Sequence, residues 1–206
     1  MTETSEDFED VEDVFPLSPA QAGMLFESLA RPGEGVYNGV VTASLPPDLR
    51  PFAFRAAWDT MIARHQCLRS FLLWEGLEQA VQIVRRSARL AAQEENWSSL
   101  PEAEAEARFA ALCDRARTAD HDLGRAPVMR LALVSLPNRQ RRLVLSSHHA
   151  LMDSWSVNVL LDEVAQSYRA IVRGETAELP RAASYREFAD WLAGKNEDAS
   201  DRHWRD

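Results

Sequence analysis

"RRLVLSSHHALMDSWS", residues 141–156, is the stretch on which the reading of this 206-residue chain turns. "RRLVLSS" reads as a strand that delivers its end to a loop. Asp153 or Ser154 can then cap a helix, whose buried face is traced by Val157, Leu160, Leu161, Val164, Tyr168 and Ile171. Between strand and helix stand two of the chain's five histidines, side by side, with an acid shortly after. A core needs no such arrangement. Neighbouring side chains of an extended segment point to opposite faces, so His148 and His149 cannot easily ligate one metal together. Asp153 adds one oxygen ligand at best, no other histidine has matching spacing, and a metal site is not expected. The same geometry favours a division of labour, in which one imidazole faces a cavity as general base or hydrogen-bond donor while the other packs into the wall. From local chemistry alone a second reading stays open: two satisfied histidines at a strand end, with Asp153 only a helix cap.

Working outward, a helix is predicted from about Ser18 to Ala30, with Ser18 as cap and Pro19 in the first turn, ended by Pro32-Gly33. "VYNGVVTASL" (36–45) is strand-like. Phe54, Trp58, Met61, Ile62 and His65 recur at helical spacing after Pro51, which makes His65 a satisfied core histidine. "QCLRSFLLW" and "QAVQIVRR" flank Glu75-Gly76 as a hairpin. Ser99-Leu100-Pro101-Glu102 matches a capping box opening a helix to about Thr118. "VMRLALVSL" and "RRLVLSS" are strands joined by Pro137-Asn138-Arg139, and a last helix covers Tyr185 to Leu192. Alternating strands and helices with hairpin-type turns predict an α/β two-layer domain of mixed sheet.

Composition narrows the function. The formal charge of -9 sits mostly in "MTETSEDFEDVEDVF", where Glu3, Glu6, Asp7, Glu9, Asp10, Glu12 and Asp13 meet no basic residue. Residues 1–14 are therefore expected to be a disordered acidic tail. No strongly basic face is available for nucleic acid. No signal peptide or long apolar span is seen, so neither a membrane nor an export route is expected, and a cytoplasmic location is. Cys67, in a strand-like segment, and Cys113, on a helical stripe, read as buried free thiols.

The whole chain resembles the condensation domains of nonribosomal peptide synthetases. "SHHALMDSWS" is similar to their HHxxxDG signature. "FPLSPAQAGMLF" (15–26), "RHQCLRSFLLW" (64–74) and "SYREFADW" (184–191) resemble three further motifs in the family's order, and "HDLGRAPVMRLAL" (121–133) resembles a strand-leading segment. The resemblance covers residues 15–206. It implies one lobe of a chloramphenicol acetyltransferase-like fold, and attack by the amine of a carrier-bound acceptor on a carrier-bound donor thioester. Both substrates would arrive on phosphopantetheine arms of peptidyl carrier domains, with no cofactor bound directly. His149 would face the tunnel, taking the amine's proton or hydrogen-bonding the tetrahedral intermediate. His148 would be a wall residue, Trp155 part of the motif, and Asp153 structural, paired with Arg69.

Two features depart from the family pattern. Ser154 stands where the family has glycine, which adds a side chain beside the arm's path and resists positive φ; a tolerated variant is expected. Family members also have two such lobes, so the other tunnel wall is expected from a second lobe, in cis or in trans, or from self-association. The family's next helix carries a tryptophan placed like Trp204. Two other functions remain on this reading: an acyltransferase of the same superfamily with a soluble acceptor, and a non-catalytic carrier-binding lobe.

Overall fold

A computed structural model of the chain describes residues 10–194; Trp204 and the acids before residue 10 lie outside them. Seven strands and five α-helices follow in order: β1 (Val11–Pro16), α1 (Pro19–Ala30), β2 (Asn38–Leu45), α2 (Pro51–Arg64), β3 (Ser70–Leu73), β4 (Val81–Arg85), β5 (Ala92–Asn96), α3 (Glu102–Thr118), β6 (Met129–Ser135), β7 (Arg141–His148), α4 (Ser154–Val172) and α5 (Tyr185–Ala193). The strands divide between two sheets. One is antiparallel in the order β1-β4-β3; the other runs β2-β7-β6-β5, with β5 parallel to β6 and the other pairs antiparallel. This is the mixed α/β architecture that the alternation of elements predicts.

Strand β7 shows why the second sheet is buried on both faces. Leu143 and Leu145 join a core with Phe54, Trp58, Met61 and Ile62 of α2 and Val157, Leu160 and Val164 of α4. Val144, between them in sequence, points the other way and packs with Phe109, Leu112 and Cys113 of α3. A third cluster joins Leu25 of α1 to Phe71, Leu72, Leu123, Val128 and Ala150. It seats α1 against the three-stranded sheet and the turn that follows the histidines.

Several expectations are corrected. The acidic run is not tail throughout, because β1 begins at Val11 and pairs with β4. Its acids face basic side chains: Asp10 meets Arg85, Glu12 meets Arg69 and Asp13 meets Arg186. Ser99 does not cap α3; the helix starts at Glu102 behind Pro101, with no side-chain cap. Cys67 lies in a 3-10 turn (Gln66–Arg69) rather than a strand, and burial pushes its thiol up to about 11. The predicted cap of α1 is present, with Ser18 accepting from the Gln21 N–H while the Gln21 side chain accepts from the Ser18 N–H. His65 is satisfied, its Nε2 2.6 Å from Glu163 Oε2, although it sits just past the end of α2.

Candidate active site at the end of β7

The two histidines divide as alternation along a strand requires. His148 is 2 % exposed. The Ser28 hydroxyl donates to the Met24 carbonyl at 2.7 Å, so its oxygen is left as an acceptor for His148 Nε2, 3.0 Å away. His148 Nδ1 in turn accepts the Ala150 N–H at 3.2 Å. This network assigns a neutral imidazole protonated on Nε2, with both nitrogens spent. Burial holds its pKa below the usual range, in keeping with a wall residue that cannot take a proton without losing the Ala150 contact.

His149 has the opposite character. Its backbone N–H donates to the Tyr37 carbonyl at 2.9 Å, and the side chain is only half-buried. Its ring lies over Gly39 of β2, where an added Cβ would stand 3.4 Å from Nε2 and 3.5 Å from Cε1. Gly39 has no positive φ, and the next atom near that Cβ is the Ser147 carbonyl oxygen at 3.7 Å. The close approach of a ring is a physical reason for glycine inside a strand. Among the described residues, none hydrogen-bonds either ring nitrogen of His149. The imidazole is thus anchored through its backbone and free at its nitrogens.

The support beneath it comes from residues far apart in sequence. Tyr37 has a left-handed backbone (φ 61) and sets its ring edge-on to His148, 6.2 Å between centroids. The loop before it is held down by the Asp120 carboxylate, which accepts the N–H groups of Gly33 (2.5 Å) and Gly35 (3.0 Å). Asn38 adds two bonds from Nδ2, to the carbonyls of Arg117 and Ala119. On the other side Gln21, 6 % exposed, donates to the Ala150 carbonyl at 3.0 Å and to Gln82 Oε1 at 2.8 Å. Gln21 holds the histidine turn by these bonds; the sequence marks it by its spacing from the Ser18 cap and by its place in the 15–26 motif, neither of which reveals the contact with Ala150.

Asp153 is the N-cap of α4, accepting from the backbone N–H of Ser156 at 2.8 Å and its hydroxyl at 2.6 Å. These hydrogen bonds hold its carboxyl below the usual carboxylate range. Ser154 is the first residue of α4 and exposed, with no positive φ, so serine costs nothing conformationally here. Trp155 is 78 % exposed.

The expected ion pair between Arg69 and Asp153 is absent among the described residues. Arg69, 5 % exposed, instead donates to the carbonyls of Ile62 and Arg85 and to Glu12, tying α2, β4 and β1 together. Burial works to raise the Glu12 carboxyl, but hydrogen bonds from Arg69 and Gln66 outweigh it and keep the group below the usual range. The two sites should therefore behave independently. Asp153→Ala is expected to cost about 1 kcal/mol as a lost cap. In a double-mutant cycle with Arg69→Met the losses should add to within about 0.5 kcal/mol. Coupling well above that in denaturant melts would reinstate the pair.

A family model described as "Condensation domain" matches residues 11–206. Similar curated proteins include a linear gramicidin synthase of Brevibacillus parabrevis, 35% identical over 197 residues, which are 96% of this chain and 2% of that protein. Chondramide synthase cmdD of Chondromyces crocatus is 34% identical over 179 residues, 84% of this chain and 4% of its own. Among solved structures, the starter condensation domain of rhizomide synthetase RzmA is similar with a TM-score of 0.78 at 20% identity, covering 88% of this chain and 45% of that one. The first condensation domain of the CDA synthetase gives 0.76 at 18% identity, covering 89% and 45%. The chain thus spans a few per cent of these curated relatives and under half of these solved domains. No helix among the described residues is long and apolar enough to cross a membrane.

Proposed function

The chain belongs to the condensation-domain family, and from that premise we propose that residues 11–206 form the amino-terminal lobe of a nonribosomal peptide synthetase condensation domain, working in the cytoplasm. The reaction is peptide-bond formation. The amine nitrogen of an acceptor on one phosphopantetheine arm attacks the carbonyl carbon of a donor thioester on another. The C–N bond forms, the C–S bond breaks, the donor arm leaves as a thiol, and the amine's surplus proton ends on that sulfur. Both arms belong to peptidyl carrier domains, and a carboxyl-terminal lobe, in cis or in trans, supplies the facing wall.

One observation carries this reading: His149 presents ring nitrogens free of described partners, on a backbone anchored by Tyr37. An imidazole so placed can take the amine's proton or hydrogen-bond the tetrahedral intermediate. Thioesters react readily with amines, so holding two tethered reactants together supplies much of the rate. The test joins the chain to a second condensation lobe and adds two loaded carrier domains. Dipeptidyl thioester should appear on the acceptor carrier, and should vanish when the acceptor amine is acetylated, while the 206-residue chain alone should show little turnover. Efficient transfer to a soluble amine, with none to the carrier-bound one, would overturn the reading in favour of a free-acceptor acyltransferase. Carrier binding without any transfer would leave a scaffolding lobe.

A further inference from the structure

Behind the histidine pair, on the face that His148 rather than His149 presents, lies a cavity of about 230 Å3. It is bounded by the end of α1 (Leu29), the loop into β2 (Val36, Asn38), Trp74 after β3, the loop after α3 (His121) and His148. Of the four buried side-chain atoms without a described partner, two belong to this lining: Asn38 Oδ1 and His121 Nε2. A buried polar atom without a partner calls for an explanation, and these two belong to the lining of the same cavity.

Their chemistry narrows what the cavity can hold. Asn38 spends its Nδ2 on the Arg117 and Ala119 carbonyls, so its unpaired Oδ1 offers acceptance only. His121 is 8 % exposed. Burial and then the charge of Arg130 push its pKa down to about 4, so at neutral pH the ring carries no charge. The lining contains Asp120 and Asp122 and, among the described residues, no lysine or arginine, which disfavours an anionic ligand. An apolar body is matched by Leu29, Val36 and Trp74. The fitting group is neutral, apolar or aromatic in body, and tipped with a hydrogen-bond donor: a phenol, an indole or a carboxamide.

The location gives the group an origin. β2 begins at Asn38 and β7 ends at His148, so the two faces of the sheet meet around these strand ends. Asn38 and Gly39 are neighbours, one lining the cavity and the other lying under the His149 ring. We propose that this cavity is a side-chain subsite of the condensation reaction, receiving a neutral, donor-tipped side chain of one of the two carrier-borne residues, with Asn38 and His121 as its polar end. The proposal rests on the condensation reading for its substrate, but not for its binding chemistry.

The experiment uses the 206-residue chain with isotope-labelled histidine and follows the His121 ring by NMR. Tyrosyl and phenylalanyl N-acetylcysteamine thioesters, which mimic the loaded arm, are titrated with the amine free (acceptor form) and acetylated (donor form). In one of these forms the tyrosyl compound should shift the His121 signals at about tenfold lower concentration than the phenylalanyl one, since a buried acceptor rejects the analogue lacking its donor. The form that shows the preference identifies whose side chain enters. His121→Phe, read on the ring signals of His148, which also lines the cavity, should abolish the preference, and Leu29→Trp, at the exposed rim, should abolish binding by plugging the mouth. Equal response to both thioesters, or a preference that survives both variants, overturns the subsite and leaves the cavity to water. Binding at His121 that persists in His149→Ala separates the subsite from the catalytic reading, which stands or falls on turnover.

Discussion

Replacing His149 by alanine should lower dipeptidyl thioester formation by about a hundredfold, and by no less than tenfold, in the intact condensation domain. The bound rests on a division of the barrier. Tethering and orientation act on both variants alike; only the imidazole's proton transfer or hydrogen bond is lost. Fold should hardly respond, because neither ring nitrogen is bonded within the described structure, and the backbone bond to Tyr37 survives the substitution. The same change at His148 works the other way. It leaves the Ala150 N–H without its acceptor and removes the donor to the Ser28 oxygen, whose own O–H still reaches Met24, at a cost of about 1–3 kcal/mol in stability for the buried group left unpaired. Single-turnover kinetics with preloaded carriers, beside thermal melts, separate the two. An unchanged rate in His149→Ala would remove that residue from the mechanism.

Strand alternation says that two adjacent, chemically identical side chains face opposite ways; that His149 rather than His148 is the free one comes from the family resemblance. Periodicity also disclosed the amphipathic helices: Val157, Leu160 and Val164 are all buried, as are Phe54, Trp58, Met61 and Ile62. What stayed hidden depends on partners distant in the chain. β5, "AQEEN", has almost no apolar residue to betray it, and exists because it completes the sheet edge beside β6. β1 was masked by its charges, whose meaning changes once Arg69, Arg85 and Arg186 converge on them. The family resemblance singles out Arg69 and Asp153 as a pair, and the structure gives each of them other partners. A buried guanidinium satisfies itself with whichever carbonyls the fold brings near, here those of Ile62 and Arg85. The bond between the His149 N–H and the Tyr37 carbonyl leaves no trace in either side chain's identity.

That hidden support leads to the largest expected effect on the fold, at Gly35. Its backbone is left-handed (φ +60), and a Cβ there would lie 2.1 Å from the Arg117 carbonyl oxygen and 2.8 Å from the Thr118 carbonyl carbon. Both are backbone atoms at the end of α3, so no rotamer change relieves the overlap. Nor can the loop lift away cheaply: Asp120 holds Gly33 and Gly35, and Asn38 holds the same helix end. Gly35→Ala should therefore destabilise by roughly 3 kcal/mol or more, within the range of severe backbone and packing conflicts, lowering Tm by about 6–12 °C for a chain of this size. Gly33→Ala is the control, because its φ is also positive (+83) but nothing lies within 4 Å of the added carbon; it should lose only about 1 kcal/mol of backbone preference. Because Tyr37 follows Gly35 by two residues, a displaced loop also moves the carbonyl that fixes His149. Condensation by Gly35→Ala should then fall even at temperatures where the variant remains folded. A variant that loses stability but turns over normally when cold would show that His149 is held without the loop, and would shift the positioning role to Gln21 and the Ala150 turn.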